Sequence, residues 1–474
     1  MYSSHRSDNQ IEKEQRRRLR RMVLSLALPI LAENLLLSMM EYVDTAMVGS
    51  LGPNATASVA CTTPVIWLLN SVVMALAIGA TVVVAQSIGA GNYQKAQKVS
   101  AQAFLMVLIL GTAISGTLLL LCRKIPVLMG LAPEIQATTT AYIAILALGM
   151  PLHCISAVFY GVIRGAGDTR TPMALSCFAN VCNIIGNFLL IYTTREITLG
   201  SFTFTLWGAG LGVAGAAIAS SFARVLAGLI VILLMLRRTD VTLRFKEMKP
   251  DGAILREIIR IGLPAAMERI AINGGHLLYA RLVAGLGTIT LAAHQLAQSA
   301  ESICYLPAMA FETAATTLAG QSVGAQDYPE CRRRVWMTAR LCICFVAVSA
   351  LILFFGCGFL LGLLTPSAEV IAEGSIALRT VAVFELCYGI AAVFSGGLRG
   401  VGATREPFYV CLGTMWLLRI PLALFLLNFM NGGIGAVWFA MSMDLVLRCS
   451  LLVYRFHKGS WERKLRNSKE KQYD

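Results

Sequence analysis

Charged side chains are scarce in this sequence, because Asp, Glu, Lys and Arg together make up only 14% of its 474 residues. A soluble domain carries about 25% charged residues. The hydrophobic share is 57%, and the mean hydropathy is +0.68. These values exclude an ordinary soluble protein and indicate a chain that lies in a lipid bilayer.

Catalytic signatures are missing as well. The sequence has no GxGxxG after a strand, no GxxxxGK[ST] phosphate loop, no HExxH and no GxSxG. We therefore expect no enzyme activity, no bound cofactor and no ATP-driven cycle carried by this chain. The driving force would be an ion gradient, a partner subunit or the gradient of the substrate itself.

Cysteine is present, but not in the pairs that bind a metal or form a redox centre. None of the 13 Cys residues belongs to a CxxC motif, and most lie within apolar stretches. Cysteine in such stretches behaves as a small hydrophobe. The sequence therefore predicts no metal site and no disulfide framework.

Long apolar stretches dominate what is there. Crossing a hydrocarbon core of roughly 30 Å takes about 20 residues, and twelve stretches meet this length. They are predicted at 22–48, 57–86, 97–121, 134–163, 172–193, 207–236, 257–284, 291–320, 333–362, 370–398, 407–428 and 433–455. Most connections are short, so consecutive spans would pack as antiparallel neighbours.

The first half of the chain recurs in the second half at a constant offset of 235 residues. Residues 86–90 (QSIGA) return as 321–325 (QSVGA), and residues 164–172 return as 399–407. One register over separate blocks indicates one duplicated unit. Each copy holds six spans, so both copies would have the same orientation, with a pseudo-twofold axis along the membrane normal.

The predicted fold class is therefore an all-α integral membrane protein, with twelve transmembrane helices in two six-helix bundles and the working cavity between them. The predicted parts are a basic arm at 1–21, an N-lobe at 22–236, a cytoplasmic linker at 237–256, a C-lobe at 257–455 and a tail at 456–474. Near the end of each lobe the offset falls to 220, so the first copy carries about fifteen extra residues between spans 5 and 6.

The net charge of +14 reflects topology and gives no reason to expect a nucleic-acid partner. Thirty of the 40 Lys and Arg residues lie in, or within four residues of, the arm, the tail and the connections after even-numbered spans. The opposite side has three, Arg123, Lys124 and Arg195. Cytoplasmic loops carry such an excess, so we predict both termini on the cytoplasmic side of the plasma membrane, in contact with anionic headgroups.

Acids inside the spans are the candidates for a coupling-ion site, because an intramembrane carboxylate is costly and is a functional hypothesis by default. Span 1 holds Glu33, Glu41 and Asp44 on one arc of its helix. Glu33 has the repeat mate Glu268, so a structural hydrogen bond explains Glu33 as well as a coupling role does. The mate of Asp44 is Tyr279. The repeat therefore does not explain the charge of Asp44, and we favour a coupling role.

Span 5 adds Asn180, Asn183 and Asn187, the last two being one helical turn apart. Amide oxygens can ligate an alkali cation, and amides can hydrogen-bond a protonated carboxyl group. Asparagine also joins membrane helices to one another. Both interpretations of these three residues remain open at this point.

The second lobe has its own candidates for a coupling-ion site, which are Glu268, Glu301 and Glu385. Further acids lie at Glu312 and Asp444, and Arg281, Arg419 and Arg448 are available to neutralise some of them. The sequence does not assign the pairs.

Six residues mark two tight cytoplasmic turns, and they are Gly165, Gly167, Arg170, Gly400, Gly402 and Arg405. In such turns Gly allows a positive φ, and a Pro begins the next helix. We expect a structural role for these turns, with their Arg side chains at the anionic membrane surface.

In these features the chain resembles the multidrug and toxic compound extrusion (MATE) family. The matching residues are Pro29, 43–49 (VDTAMVG), 85–91 (AQSIGAG), 164–170 (RGAGDTR) and their second-lobe copies. The resemblance covers residues 20–455 and implies two bundles arranged as a V around a central cavity. It also implies export of organic, often cationic or polyaromatic compounds, driven by Na⁺ or H⁺. Glu301 and residues 292–294 are similar to the bacterial DinF-like branch.

The resemblance places the family's span 1 aspartate at Asp44. It places the family's span 5 motif, Asn followed four residues later by Asp, at Asn183 and Asn187. Because the second position is an amide here, the first-lobe site lacks one negative charge. This departure favours a proton on Asp44, or coupling through the second-lobe acids, over tightly held Na⁺.

The interpretation is a monomeric, cation-coupled antiporter that exports small organic cations, with H⁺ or Na⁺ as the coupling ion. The alternative in the same superfamily is a flippase for a lipid-linked oligosaccharide or peptidoglycan precursor. Such a flippase would usually have more cationic cavity residues and two further spans. A membrane enzyme or sensor would need a catalytic constellation or a soluble domain, and the sequence has neither.

Overall fold

Helices account for nearly all of the structure. The computed structural model describes residues 2–199, 202–430 and 432–473. The helices of the first half are α1 (Tyr2–Gly49), α2 (Pro53–Gly89), α3 (Tyr93–Leu121), the short α4 (Lys124–Leu128), α5 (Pro133–Gly165), α6 (Arg170–Leu190) and α7 (Gly212–Arg237). A 3₁₀ turn, Phe245–Met248, precedes the second half.

The second half repeats this pattern with two irregular spans. Its helices are α8 (Gly252–Ala284), α9 (Thr288–Gly324), α10 (Tyr328–Gly362), α11 (Ala368–Ala382), α12 (Glu385–Gly400), α13 (Arg405–Leu412), α14 (Ile420–Met430), α15 (Ile434–Lys458) and α16 (Ser460–Tyr473). A π-helical segment, Gly413–Arg419, joins α13 to α14.

The predicted all-α membrane fold is confirmed. Within the described ranges, nine helices are long and apolar enough to span a bilayer, and the bent pair α11–α12 makes a tenth span. The other two predicted spans lie in α8 and α9, which are 33 and 37 residues long. Polar side chains such as Glu268 and Glu301 interrupt the apolar runs of these two helices.

Two predicted spans need correction. Residues 207–209 do not begin span 6, because they belong to a hairpin in which β1 (Thr193–Leu199) pairs antiparallel with β2 (Phe202–Ala209). The hairpin contains the extra residues of the first copy, which are rich in Thr and aromatic side chains that suit a strand. Predicted span 10 is not one straight helix, since α11 and α12 meet at a bend of 53°.

The repeat is visible in how the helices begin. The Asn92 side chain accepts a hydrogen bond from the Lys95 amide at the start of α3. At the start of α10, 235 residues later, Asp327 accepts one from the Glu330 amide. Asn and Asp are favoured at this position because they satisfy an amide that has no partner in the first turn.

Two glycines allow the ends of α2 and α9 to touch through their backbones. A Cβ atom on Gly89 would collide with the carbonyl group of Gln321, and one on Gly324 would collide with that of Gln86. The two contacts are related by the 235-residue offset. Gln86 also donates a side-chain hydrogen bond of 2.9 Å to the Gly400 carbonyl.

The described chain divides into two compact units. One consists of residues 1–31, 85–91 and 263–474, and the other of residues 32–84 and 92–262. In the first of these, α9 packs against α12 and α10; in the second, α5 packs against α3 and α7. The lobe, linker and tail boundaries given from the sequence remain predictions.

The backbone contact between α2 and α9 predicts that Gly→Ala lowers stability at the contact but not at an open position of α10. We expect Gly89→Ala or Gly324→Ala to lower stability by roughly 1–3 kcal/mol, the usual cost of overpacking. Gly356→Ala on α10 is the control, because a Cβ there meets nothing within 4 Å. It should be neutral or stabilise by up to about 1 kcal/mol. Thermal unfolding of the purified variants measures this, and equal effects at all three positions would contradict the packing argument.

Candidate ion-coupling sites

Asp44 lies with two amides of α6, as the sequence predicts. The Asn187 amide donates a short hydrogen bond to Asp44 Oδ1. In the orientation that satisfies both of its polar atoms, the Asn183 amide also donates to Asp44 Oδ1, at 2.9 Å, and accepts from Ser220. Asn183 and Asn187 are buried. Asp44, Asn183 and Asn187 are called the amide site below.

One amide oxygen of the amide site is unpaired. Asn187 Oδ1 is buried and has no hydrogen-bond partner among the described residues. Asn180, the third predicted residue of α6, donates no hydrogen bond to Asp44, since its amide nitrogen is buried without a partner in the described part of the chain. Burial of Asp44 disfavours its charged form, whereas the amide N–H groups and Arg224 favour that form, which is the one that binds a cation.

Arg224 of α7 is the functional residue that sequence reasoning missed. It acts electrostatically on both Asp44 and Glu41. Its Nη1 atom is buried and has no hydrogen-bond partner within the described ranges. The available signal was an intramembrane arginine 220 residues before Asp444, the offset that holds for spans 6 and 12.

The three acids of span 1 do not form one site. Glu33 is buried and accepts from Arg164 at 2.6 Å and 2.7 Å and from Ser176 at 2.9 Å. Glu41 is exposed. Glu33 is therefore neutralised by an ion pair of the kind expected for structural acids in a membrane.

The same ion pair recurs in the second half with one more acid. Arg399 donates to Glu268 at 2.9 Å and also bonds Glu312. Glu268 is the repeat mate of Glu33, and Arg399 is that of Arg164. Glu268 is therefore held by a buried arginine, and the structural alternative given for Glu33 from the sequence fits both residues.

Glu301 and Glu385 form a carboxyl pair. They neighbour each other across α9 and α12, and both residues are completely buried. Within the described ranges neither carboxyl group pairs with an arginine, and their polar neighbours are each other and Tyr305. Two adjacent carboxyl groups cannot both ionise without a large repulsion.

The bend in span 10 positions Glu385. The α11 helix ends at Ala382, and Glu385 is the first residue of α12. The positive end of the helix dipole favours a carboxylate at this position. Burial and Glu301 oppose the charge, so competing effects act on this one carboxyl group.

A third group of charges contains one acid and two arginines. Asp444 accepts two hydrogen bonds from Arg448, at 2.7 Å and 3.0 Å, and lies 4.0 Å from Arg419. Arg419 lies over the ring of Tyr279 at 4.2 Å. Of the three arginines that the sequence offers to neutralise acids, Arg448 pairs with Asp444, Arg419 lies beside it, and Arg281 is exposed. Because Tyr279 is the repeat mate of Asp44, the second half has no copy of the amide site.

The turns at 165–170 and 400–405 contain glycine for two reasons, and the sequence predicts only one of them, the positive φ. Gly167 and Gly402 have φ values of 96° and 83°. Gly165 and Gly400 end their helices without a positive φ, so the expectation was wrong for them. A Cβ atom on either would collide with a neighbouring helix backbone, at Thr81 or Thr316.

The arginines of these turns differ in their contacts. Arg170 and Arg405 are exposed first residues of α6 and α13, and their place at the membrane surface stays a prediction. Arg164 and Arg399, near the ends of the preceding helices, pair with the buried acids Glu33 and Glu268.

Asp168 fixes the first turn to the end of α7. It accepts from the backbone amides of Arg170 and Thr171, from the Thr171 hydroxyl at 2.6 Å and from Arg238 at 2.8 Å. Partial burial raises the pKa of Asp168, but the hydrogen bonds from Thr171 and Arg238 outweigh it, so the pKa lies below the usual value. The repeat mate is Ala403, so only the first turn has this contact.

This arrangement predicts a pH-dependent effect of Asp168→Asn. A carboxyl group whose folded pKa is lowered stabilises the protein above its unfolded pKa of about 3.9, and the stabilisation is lost as pH falls through the folded pKa. We expect Asp168→Asn to cost about 1 kcal/mol at pH 7, because the amide keeps an acceptor oxygen but loses the ion pair with Arg238.

Below about pH 4 the difference should shrink. Unfolding temperatures measured from pH 7 to pH 3 test this, with Asp251→Asn as a control aspartate whose side-chain hydrogen bonds are all local. A difference that stays constant over this range would contradict an electrostatic role for Asp168.

The fold and the charged groups can now be set beside known proteins. The MatE family model matches residues 29–189 and 264–425, which is more than half of the chain. The chain belongs to the MATE family of efflux transporters. The matched ranges correspond to the two copies found in the sequence, and the resemblance seen there is confirmed.

Relatives match over nearly the full length. The "Probable multidrug resistance protein NorM" of Thermotoga maritima is 28% identical over 459 residues, 96% of each chain. The protein of the same name from Xanthomonas campestris is 28% identical and covers 92% of this chain and 93% of its own.

Solved structures share the fold. A MATE transporter in complex with MaL6 superposes with a TM-score of 0.86 at 20% identity, covering 94% of this chain and 97% of that one. A transporter of the MOP superfamily from Pyrococcus furiosus, described as having a binding pocket of reverse polarity, gives 0.85 with the same coverage.

Proposed function

We propose that this MATE transporter is an antiporter that exports small organic cations and is driven mainly by protons. The observation that carries the proposal is the environment of Asp44. Its carboxylate accepts from two buried amides and lies in the field of Arg224. Names of the relatives that refer to multidrug resistance support the export of organic compounds.

The composition of the amide site supports a proton over Na⁺. A tightly held Na⁺ needs several oxygen ligands with net negative charge. Here both amides turn an N–H group toward Asp44, which leaves Asn187 Oδ1 as the buried amide oxygen to spare. Arg224 adds a positive charge that opposes a second cation. A proton needs one carboxylate oxygen, so it is compatible with these neighbours.

The carboxyl pair supports a second proton position in the other half of the chain. Glu301 and Glu385 are buried, and within the described ranges neither accepts a hydrogen bond from an arginine. A shared proton removes their mutual repulsion. The other buried acids do not need a proton, because Glu33, Glu268 and Asp444 are each paired with an arginine.

Asp44→Asn should leave folding intact but reduce proton-driven export to the level of protein-free vesicles, because the variant side chain cannot bind and release a proton. The measurement is uptake of a fluorescent organic cation into inside-out vesicles under a pH gradient without Na⁺. Glu41→Gln is the matched control, since this acid is exposed on the same helix. Full transport by Asp44→Asn would exclude the amide site from coupling, and transport driven only by a Na⁺ gradient would exclude the proton.

Glu301→Gln and Glu385→Gln should each reduce the number of protons released when substrate binds. A Gln side chain keeps the shape of the carboxyl group and removes the titrating proton. The measurement is the pH change of a weakly buffered sample of purified protein on addition of substrate. Glu369→Gln in the first turn of α11 is the control for an acid outside the pair. Unchanged proton release in both pair variants would remove the carboxyl pair from the mechanism.

A further inference from the structure

Arg419 is a buried cation whose hydrogen-bonding capacity is largely unused. It is the last residue of the π-helical segment and only 4% exposed. Its Nε and Nη2 atoms have no hydrogen-bond partner among the residues that the structure describes. Buried donors without partners are rare and costly, and π-helical turns are frequent at functional sites.

Asp444, the charged neighbour of Arg419, does not accept a hydrogen bond from Nε or Nη2. Asp444 already accepts two hydrogen bonds from Arg448, and its oxygen is 4.0 Å from Nη1, which is the other end of the Arg419 guanidinium group. The Arg419 cluster of Asp444, Arg448 and Arg419 therefore contains two cations and one anion.

Tyr279 does not accept a hydrogen bond from these two nitrogens either. The ring of Tyr279 lies against the guanidinium carbon at 4.2 Å, and the tyrosine hydroxyl donates to the Val437 carbonyl. The aromatic contact covers the face of the guanidinium plane. The edge of the plane is left for another group.

The two unpaired nitrogens share that edge. Nε–H and one N–H of Nη2 are parallel and match the two oxygens of a carboxylate, which arginine binds in a bidentate manner. A halide has no second atom for this edge, so the geometry selects a planar oxyanion.

We propose that the Arg419 edge is a binding site for the carboxylate group of a small organic acid. The site lies in the second half of the chain, apart from the amide site, and takes an anion where the proposed transport function concerns cations. It does not depend on which ion drives transport, because it can be measured at equilibrium with no gradient.

The competing occupant belongs to the chain itself. Glu301 lies within electrostatic range of Arg419. If the Glu301 carboxylate fills the edge in solution, an added carboxylate will not bind. A variant without the Glu301 charge separates the two possibilities.

The test is thermal unfolding of the purified full-length protein at pH 7, with sodium acetate or sodium benzoate replacing sodium chloride at constant Na⁺ concentration and ionic strength. A ligand that binds the folded state raises the unfolding temperature in a saturable way. We expect saturable stabilisation by acetate and benzoate relative to chloride. A stronger effect of benzoate identifies an organic acid with apolar bulk, whereas equal effects identify the carboxylate group alone.

Variants locate the site. Arg419→Lys keeps the positive charge but lacks the planar edge, so it should lose the difference between carboxylate and chloride, whatever its own unfolding temperature in chloride. Arg281→Gln, which changes an exposed arginine of α8, should keep the effect. Glu301→Gln should keep it too.

Three results would overturn the proposal. One is equal unfolding temperatures of the wild type in acetate, benzoate and chloride. Another is an undiminished carboxylate effect in Arg419→Lys. The third is a carboxylate effect that arises only in Glu301→Gln, which would show that the Glu301 carboxylate occupies the Arg419 edge in the wild type.

Discussion

A charge inside a bilayer has to be neutralised by a partner or by a proton, and this constraint orders the interior of the protein. A membrane supplies no water to solvate a carboxylate, so each buried acid either contacts an arginine or stays available for an exchangeable ion. Glu33, Glu268 and Asp444 fall in the first class, since each has an arginine within 3 Å. Asp44 and the carboxyl pair fall in the second. The distinction depends on the partner, because acids of both classes lie in membrane-spanning helices.

Duplication preserved the ion pairs and altered the exchangeable groups. The pair Glu33–Arg164 and the triad of Arg399, Glu268 and Glu312 occupy equivalent positions. Asp44, in contrast, became Tyr279, and the position of Arg224 became Asp444. The charges of spans 1 and 6 are thus replaced or reversed in spans 7 and 12. The ion pairs that join helices are kept in both halves. The residues proposed to exchange an ion differ between the halves.

Much of the fold could be predicted from the sequence, because hydropathy and internal repetition can be read from the chain without its tertiary contacts. The twelve spans and the repeat follow from period and spacing, whereas the grouping of Asp44 with Asn183 and Asn187 came only from the family resemblance. The arginine partners could not be assigned, since Glu33 and Arg164 are 131 residues apart and their contact depends on tertiary packing. The break before Glu385 has no Pro that would mark it, whereas the π-helical turn at Arg419 is followed by Pro421, a signal that the sequence analysis did not use. The hairpin at 193–209 was missed because its apolar end continues into the next span.

The contact of Gly89 with Gln321 and of Gly324 with Gln86 has a consequence for the origin of the chain. In each copy the glycine contacts the glutamine carbonyl of the other copy, so the two contacts are equivalent. Such an isologous contact is the kind formed by two identical subunits around a twofold axis. It requires no residue that arose after gene fusion. The single-copy ancestor therefore already carried a self-complementary surface at this point, and a homodimer could have formed this contact before the two copies became one polypeptide.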